Sequence, residues 1–320
     1  MLQASVLTLL ESTMARTALL THPDCVKHEI AAGHPEQPAR IAAVLDEIAG
    51  DDIFKDLPQI EAPEASREHL ILAHPEAYVD AIIDASPHSG SVQLDGDTAM
   101  NEHSLRAAML AAGAGIKSVD LVLDGEFDNT FCCVRPPGHH AEKTTAMGFC
   151  FFGSVAVAAL YALQKPGIEK VAIIDFDVHH GNGTEDLIGD HEDVFFCSSF
   201  QHPLYPGKFG QNIPGRKINI PLDPGCDGPT FRDKMQSDCL GALRDFKPDM
   251  VFISAGFDAH RDDPLGGLNF LEEDFAWITT ELRSIAEEHS QGRIVSMLEG
   301  GYNLAALGRS AAAHVKELMK

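Results

Sequence analysis

Basic residues are scarce in this chain of 320 residues: 24 Lys and Arg stand against 48 Asp and Glu, for a net charge of −24. A surface of that sign cannot displace counterions from a phosphate backbone, so direct nucleic-acid binding is not expected. The acid excess favours solubility and draws cationic substrates; adaptation to salt is the competing explanation. Long apolar runs are also missing. No segment offers the roughly 18 consecutive apolar residues of a membrane helix, and no membrane partner is expected. The stretch Leu2 to Leu10 is mildly apolar but lacks a basic lead and an Ala-x-Ala-like site, so it is not read as a signal peptide. Cys-x-x-Cys spacing is absent among the seven cysteines (Cys25, Cys132, Cys133, Cys150, Cys197, Cys226 and Cys239). Their odd number suits reduced thiols and a cytoplasmic location better than a disulfide framework. No repeat, low-complexity linker or long charge block divides the chain.

What is present is an alternation of short apolar runs with helical periodicity. Strands are expected at 17–20, 130–134, 170–175, 194–197, 250–254 and 293–297. Helices are expected from Pro38 to Gly50, with Ile41, Val44, Leu45 and Ile48 as the apolar stripe, and over 103–119, 154–164, 229–246, 272–289 and 304–319. Nearly continuous apolar strands between helices indicate a single doubly wound α/β domain, a parallel sheet with helices on both faces. That domain is expected to span 17–320, with 1–16 as an N-terminal extension; Met14 stands directly before the first strand, so 1–13 is either a frayed extension or an early start.

The chemistry concentrates where strands end. In Asp175-Phe-Asp-Val-His-His180, spacing of two places Asp175, Asp177 and His179 on one face of an extended backbone. Such a set can hold a divalent metal; the alternative is a satisfied polar network beside a turn at Gly181-Asn-Gly183. Asp258, reached through Gly256, is the natural third ligand, or else a turn or helix cap. Three protein ligands leave a coordination position open, as catalytic zinc sites do. His139 and His140 follow the stiff Pro136-Pro137-Gly138, and can serve as an acid–base pair, a second metal site or plain surface histidines. Asp175 is free to orient one of those rings. Tyr302, after Gly300-Gly301, can donate to an oxyanion or simply pack. In an open α/β sheet all four loops would lie along the carboxyl edge, where ligands bind.

Taken together, Arg135-Pro-Pro-Gly-His-His-Ala141, Asp175-Phe-Asp-Val-His-His-Gly-Asn-Gly-Thr184, Ser254-Ala-Gly-Phe-Asp258, Glu299-Gly-Gly-Tyr-Asn-Leu304 and His34-Pro-Glu-x-Pro-x-Arg40 resemble the motifs of the zinc-dependent histone deacetylase family. Asn182 and the Glu-Gly-Gly-Tyr-Asn-Leu wording are similar to the class II branch and its bacterial relatives, which include acetylpolyamine amidohydrolases. The resemblance implies the arginase/deacetylase fold and removal of short acyl groups from acyl-lysine side chains by metal-activated water. It implies zinc on Asp177, His179 and Asp258, with iron(II) as an alternative in the cell. His140 corresponds to the general base and acid, His139 with Asp175 to its electrostatic neighbour, and Tyr302 to the residue that polarises the carbonyl. Gly148 and Phe149 correspond to the segment that lines the acyl-lysine tunnel in the family, with Tyr205 expected opposite Phe149 where the family usually has Phe. Asp97 corresponds to the rim aspartate, Arg40 to the arginine beneath the site, and Leu265, after Asp263-Pro264, is apolar where a polyamine-selective relative would place an acidic gatekeeper. A structural K+ or Na+ would use backbone oxygens of Asp175, Asp177, His179 and Phe200 with the Ser199 hydroxyl. Asn182 replaces the class I aspartate, so His140 is less biased toward imidazolium and can begin the cycle as a base.

The substrate implied is an acetylated lysine peptide or protein, or alternatively an acetylated polyamine. Two readings lie further off. A binding module for acyl groups would lack a ligand, the histidine pair or Tyr302, and all are present. A two-manganese ureohydrolase would want additional bridging acids and histidines.

Overall fold

The computed structural model describes residues 15–189 and 191–320. Ten strands are formed among the described residues: β1 (Thr17–Thr21), β2 (Gln59–Glu61), β3 (Ser91–Gln93), β4 (Ala99–Asn101), β5 (Asn129–Cys132), β6 (Val171–Asp175), β7 (Val194–Gln201), β8 (Lys217–Leu222), β9 (Met250–Ala255) and β10 (Ile294–Leu298). Eight make one sheet in the order β2-β1-β5-β10-β9-β6-β7-β8, every neighbouring pair parallel. The remaining two, β3 and β4, form a separate antiparallel pair.

Period-two alternation divides each central strand between two cores. Ala172 and Ile174 of β6 face one side, with Ile41 and Val44, Ile278 and Leu282, and Leu307 and Ala311 from helices Ala39–Gly50, Glu272–His289 and Leu304–Leu318. Val171 and Ile173 face the other, with Leu110 and Ala114 of helix Ser104–Leu123 and Val155 and Ala159 of helix Ser154–Ala162. Both faces are therefore covered, as the unbroken apolar runs require. The helix ends are set locally. Asn303 accepts the Ala306 N–H at 3.1 Å, and three acids, Glu272, Glu273 and Asp274, open the longer helix at its positive end.

The six expected strands are the sheet's interior strands, found within a few residues of their expected bounds. The edges were not legible. β2 is three residues long, and Pro221 in β8 is tolerated because an edge strand needs fewer ladder donors. Helices Arg67–Leu70 and Glu76–Ala85 were likewise not expected. The helix expected over 229–246 is divided, a π turn at Gln236–Leu240 separating Gly228–Met235 from Gly241–Phe246. The expected turn at Gly181-Asn-Gly183 is instead the start of helix Asn182–Ile188. Gly183 is needed there because a Cβ would sit 2.4 Å from the Ala141 carbonyl oxygen. Of the expected N-terminal extension, Ala15 and Arg16 are seated on the domain, through Met319 O (3.1 Å) and Asp128 (2.6 Å). Residues 1–14 lie outside the described residues. All seven cysteines are unpaired, and no described helix is long and apolar enough to cross a membrane.

Two buried histidines outside the metal group make stability depend on pH. His74 Nε2 accepts the Gly153 N–H at 2.9 Å, a bond only a neutral ring makes. His314 lies between the hydroxyls of Thr279 (2.6 Å) and Ser296 (2.8 Å), and Thr279 spends its own proton on the Phe275 carbonyl. Burial pushes His74 down from 6.5 to about 4 and His314 to about 3. A depressed histidine contributes stability that is complete above 6.5 and is lost as pH falls toward the folded value. Asp258 and Glu299, which burial holds at about 7 in the metal-free chain, act in the opposite sense. The useful measurement is therefore a difference. The destabilisation caused by His74→Gln or by His314→Gln should shrink by about 2 kcal/mol between about pH 8 and about pH 5 in urea unfolding. A difference that does not change with pH would refute this.

Candidate active site

Four adjacent interior strands, β5, β10, β9 and β6, deliver the polar loops to one edge of the sheet. Asp175 closes β6, and Asp177 and His179 follow it, all buried. Asp177, His179 and Asp258 each offer a donor atom, all within 4.8 Å of one another, the one such group of three among the described residues. His179 Nδ1 lies 3.1 Å from both Asp177 Oδ1 and Asp258 Oδ2. The other carboxylate oxygens are occupied by backbone: Gly300 N–H donates to Asp177 Oδ2 and Val178 N–H to Asp258 Oδ1, each at 2.8 Å. Gly300 has to be glycine, since a Cβ would lie 2.1 Å from Asp258 Oδ2 and 2.5 Å from Asp177 Oδ2.

In the metal-free chain, burial and the neighbouring Asp177 raise Asp258 to about 7, while His139 and His179 hold Asp177 low despite its burial. Two buried carboxylates and one imidazole nitrogen aimed at one point fit a divalent cation of the zinc or iron(II) type. Asp175 stands outside the group. Its Oδ2 is 2.9 Å from His139 Nδ1.

The loop after β5 turns through Pro136-Pro137-Gly138 and is fastened by Glu299, whose Oε2 accepts the N–H groups of Gly138 (2.7 Å) and His139 (3.1 Å). The two histidine rings that follow are 4.0 Å apart and in opposite states. Burial disfavours a charged His139, but Asp177, Asp175 and Glu299 outweigh it and raise the ring well above its ordinary value. Burial, the charged His139 and His179 push His140 well below. The two shifts run in opposite directions, favouring charge on His139 and a neutral ring at His140. His140 Nδ1 is 2.7 Å from Asn182 Oδ1, which leaves Nε2 for the cavity. His180, next to the metal group in sequence, turns away to Ser198 and Glu185, each at 3.1 Å.

That cavity has a volume of about 250 Å³. Phe149, Leu204, Tyr205 and Leu265 form its walls, His140, His179 and Tyr302 its floor, and Asp97 and Gly148 also line it. Phe149 adopts φ 68°, a region bulky residues rarely enter, next to Gly148 at φ 57°. The pair is pinned by Asp97 Oδ1, which accepts the Gly148 N–H, and by Thr98 Oγ1, which accepts that of Phe149, both at 3.0 Å. Tyr205 stands edge-on to His140 at 5.0 Å. Tyr302 lies edge-on to Phe149 at 6.0 Å with the Arg40 guanidinium 5.0 Å from its ring. Burial keeps its phenol far above the ordinary value, hence a donor at any working pH.

The histone deacetylase domain model matches residues 34–318. The chain belongs to the histone deacetylase family. It is a hydrolase of amide bonds. An uncharacterized protein of Synechocystis is 37% identical over 94% of this chain and 99% of its own length. The histone deacetylase-like amidohydrolase of Pseudomonas aeruginosa is 37% identical over 92% of this chain and 79% of its own. The crystal structure of the HDA15 HD domain superposes with a TM-score of 0.89 at 36% identity, covering 95% of this chain and 88% of that one. The fold is thus the arginase/deacetylase fold.

Every cavity residue expected from the sequence, Asp97, Gly148, Phe149, Tyr205 and Leu265, lines the same space. Arg40 does not; it is buried behind Tyr302, donating to Gly301 O at 2.7 Å and to Glu299 O, and paired with Glu36. Four acids to which the sequence assigns no role hold the site together. Glu299 fastens the histidine turn, and Glu36 pairs with both Arg40 and Arg135. Asp263 accepts the N–H groups of Tyr302 (2.6 Å) and Leu265 (3.0 Å), joining floor to wall. Glu142 accepts from Asn182 Nδ2 at 2.7 Å. Only Glu299 stands out locally, between an apolar strand and two glycines; Glu36, Glu142 and Asp263 lie in polar stretches that hide them.

Proposed function

We propose that this deacetylase-family member removes acetyl groups from acetyl-lysine side chains, with zinc held by Asp177, His179 and Asp258. The observation that carries this reading is the cavity: apolar walls from Phe149, Leu204 and Leu265 lead to a neutral imidazole and a phenol donor. That suits an aliphatic stem ending in an uncharged amide. When bound, the ion would supply Lewis acidity toward the carbonyl and toward water. His140 takes a proton from the attacking water at Nε2 and later passes it to the leaving amine. His139, held by Asp175, places fixed positive charge behind the developing negative charge. Tyr302 donates to the carbonyl oxygen as charge accumulates there. Phe149 and Tyr205 flank the stem and exclude water. Asp97 uses Oδ1 on Gly148, which leaves Oδ2 for a substrate N–H at the mouth. K+ or Na+ bound by backbone oxygens of Asp175, Asp177, His179 and Phe200 would employ the Ser199 hydroxyl, which is otherwise buried without a partner.

A second reading, deacetylation of acetylated polyamines, is favoured by Asp97 at the mouth and by the net charge of −24. The test is a side-by-side rate assay on an acetyl-lysine peptide and on acetylputrescine, with and without a chelator. The peptide should turn over faster, and chelation should abolish both activities. Faster acetylputrescine turnover would move the assignment to the second reading. Activity that survives chelation would remove the metal from it.

A further inference from the structure

Resting on the amidohydrolase reading above, we propose that Glu142 is a positioning residue that sets the tautomer of His140 through Asn182. Four side chains stand in line from the cavity outward. His140 Nδ1 meets Asn182 Oδ1 at 2.7 Å, Asn182 Nδ2 meets Glu142 Oε1 at 2.7 Å, and Lys208 Nζ lies 3.2 Å from the same Glu142 oxygen. His140 and Asn182 are buried, whereas Glu142 lines a polar cleft on the surface beside Lys208.

A carboxamide is nearly the same shape either way round, but its two ends impose opposite proton patterns on a neighbour. With the Asn182 carbonyl toward His140, Nδ1 must carry the proton and Nε2 keeps its lone pair in the cavity. With the amide nitrogen toward His140 the pattern reverses: Nδ1 accepts, Nε2 is protonated, and the ring cannot take a proton from water. Nothing in the Asn182 backbone chooses between them. The close seat of Gly183 on Ala141 fixes where the helix begins, not how the amide is turned. A carboxylate can only accept, so Glu142 takes Nδ2 and commits the carbonyl to His140. The other neighbour of Nδ2, Met147 Sδ at 3.5 Å, is a weak acceptor and cannot make that choice alone.

The test reads the tautomer directly. In protein labelled with ¹⁵N-histidine and loaded with zinc, the His140 signals are assigned by their loss in His140→Ala. The wild type should show a protonated Nδ1 and an unprotonated Nε2 at alkaline pH. Glu142→Ala should shift His140 toward the Nε2–H form and lower kcat on an acetyl-lysine peptide about tenfold, with little change in KM. Glu142→Gln, which keeps an acceptor oxygen, should restore both. In Asn182→Asp, whose carboxylate is the same either way round, adding Glu142→Ala should leave the tautomer where it was. A wild-type Nδ1–H pattern in Glu142→Ala, whatever its activity, would overturn the proposal. If the tautomer moves as stated but the wild type hydrolyses neither acetyl-lysine nor acetylpolyamine, Glu142 keeps its role and the proposed function fails.

Discussion

Replacing His140 with alanine is expected to lower kcat on an acetyl-lysine peptide by about 10³-fold, within the usual range for loss of a positioned acid–base group. The size follows from the double duty assigned to one ring. With His140 gone, no histidine outside the donor group lines the cavity, because His139 turns Nδ1 to Asp175 at 2.9 Å and Nε2 toward Asp177 at 3.7 Å. His139 therefore cannot substitute. KM should change little, since the walls that hold the stem (Phe149, Leu204 and Leu265) are untouched. Zinc content should remain at wild-type level, as His140 is outside the donor group. Steady-state rates combined with metal analysis check this. A variant that keeps its metal and more than about a tenth of wild-type turnover would end the assignment of His140.

The second large effect is expected at Tyr302. Phenylalanine there retains the ring that stands against Phe149 and beneath Arg40, so packing is conserved and only the hydroxyl is lost. Removing one donor to a developing oxyanion typically lowers turnover by about 10²–10³-fold. Because the donor acts most strongly when charge has built on the oxygen, kcat should fall far more than KM rises. Near-full activity in Tyr302→Phe would show that the phenol only packs. The two variants also report on each other: a loss in the double variant close to that of one single variant would mean that base and donor act in the same step.

How much of this was legible beforehand differs by level. The interior strands could be read because they are covered on both faces, and their apolar runs, such as Val171 to Ile174, have no other explanation in a chain this acidic. Edge strands carry no such demand, and β2 and β8 were invisible for that reason. Residues that project into the cavity from strand ends were readable because Asp, His and Tyr in those places are chemically expensive unless used. The acids that hold the loops in place were not. Glu299, Asp263, Glu36 and Glu142 each hold at least one backbone N–H group or side chain far away in sequence, and no local pattern announces a partner that distant. Gly183 shows the same limit. Beside Asn182 it reads as a turn, and only its contact with Ala141 reveals a helix start packed against another loop.

Those distant acids bear on how the molecule comes apart. The N–H groups of Gly138 and His139 end on Glu299, that of Val178 on Asp258, that of Gly300 on Asp177 and that of Tyr302 on Asp263. Each of these bonds joins one loop to a carboxylate rooted in another. No loop can lift away without stripping a buried charge of its donors, a cost well above that of an ordinary surface opening. The loops after β5, β6, β9 and β10 are therefore expected to exchange these amide hydrogens as slowly as the strands beneath them, as one cooperative unit. On heating, catalysis and the sheet are expected to be lost together, so that inactivation and unfolding curves coincide.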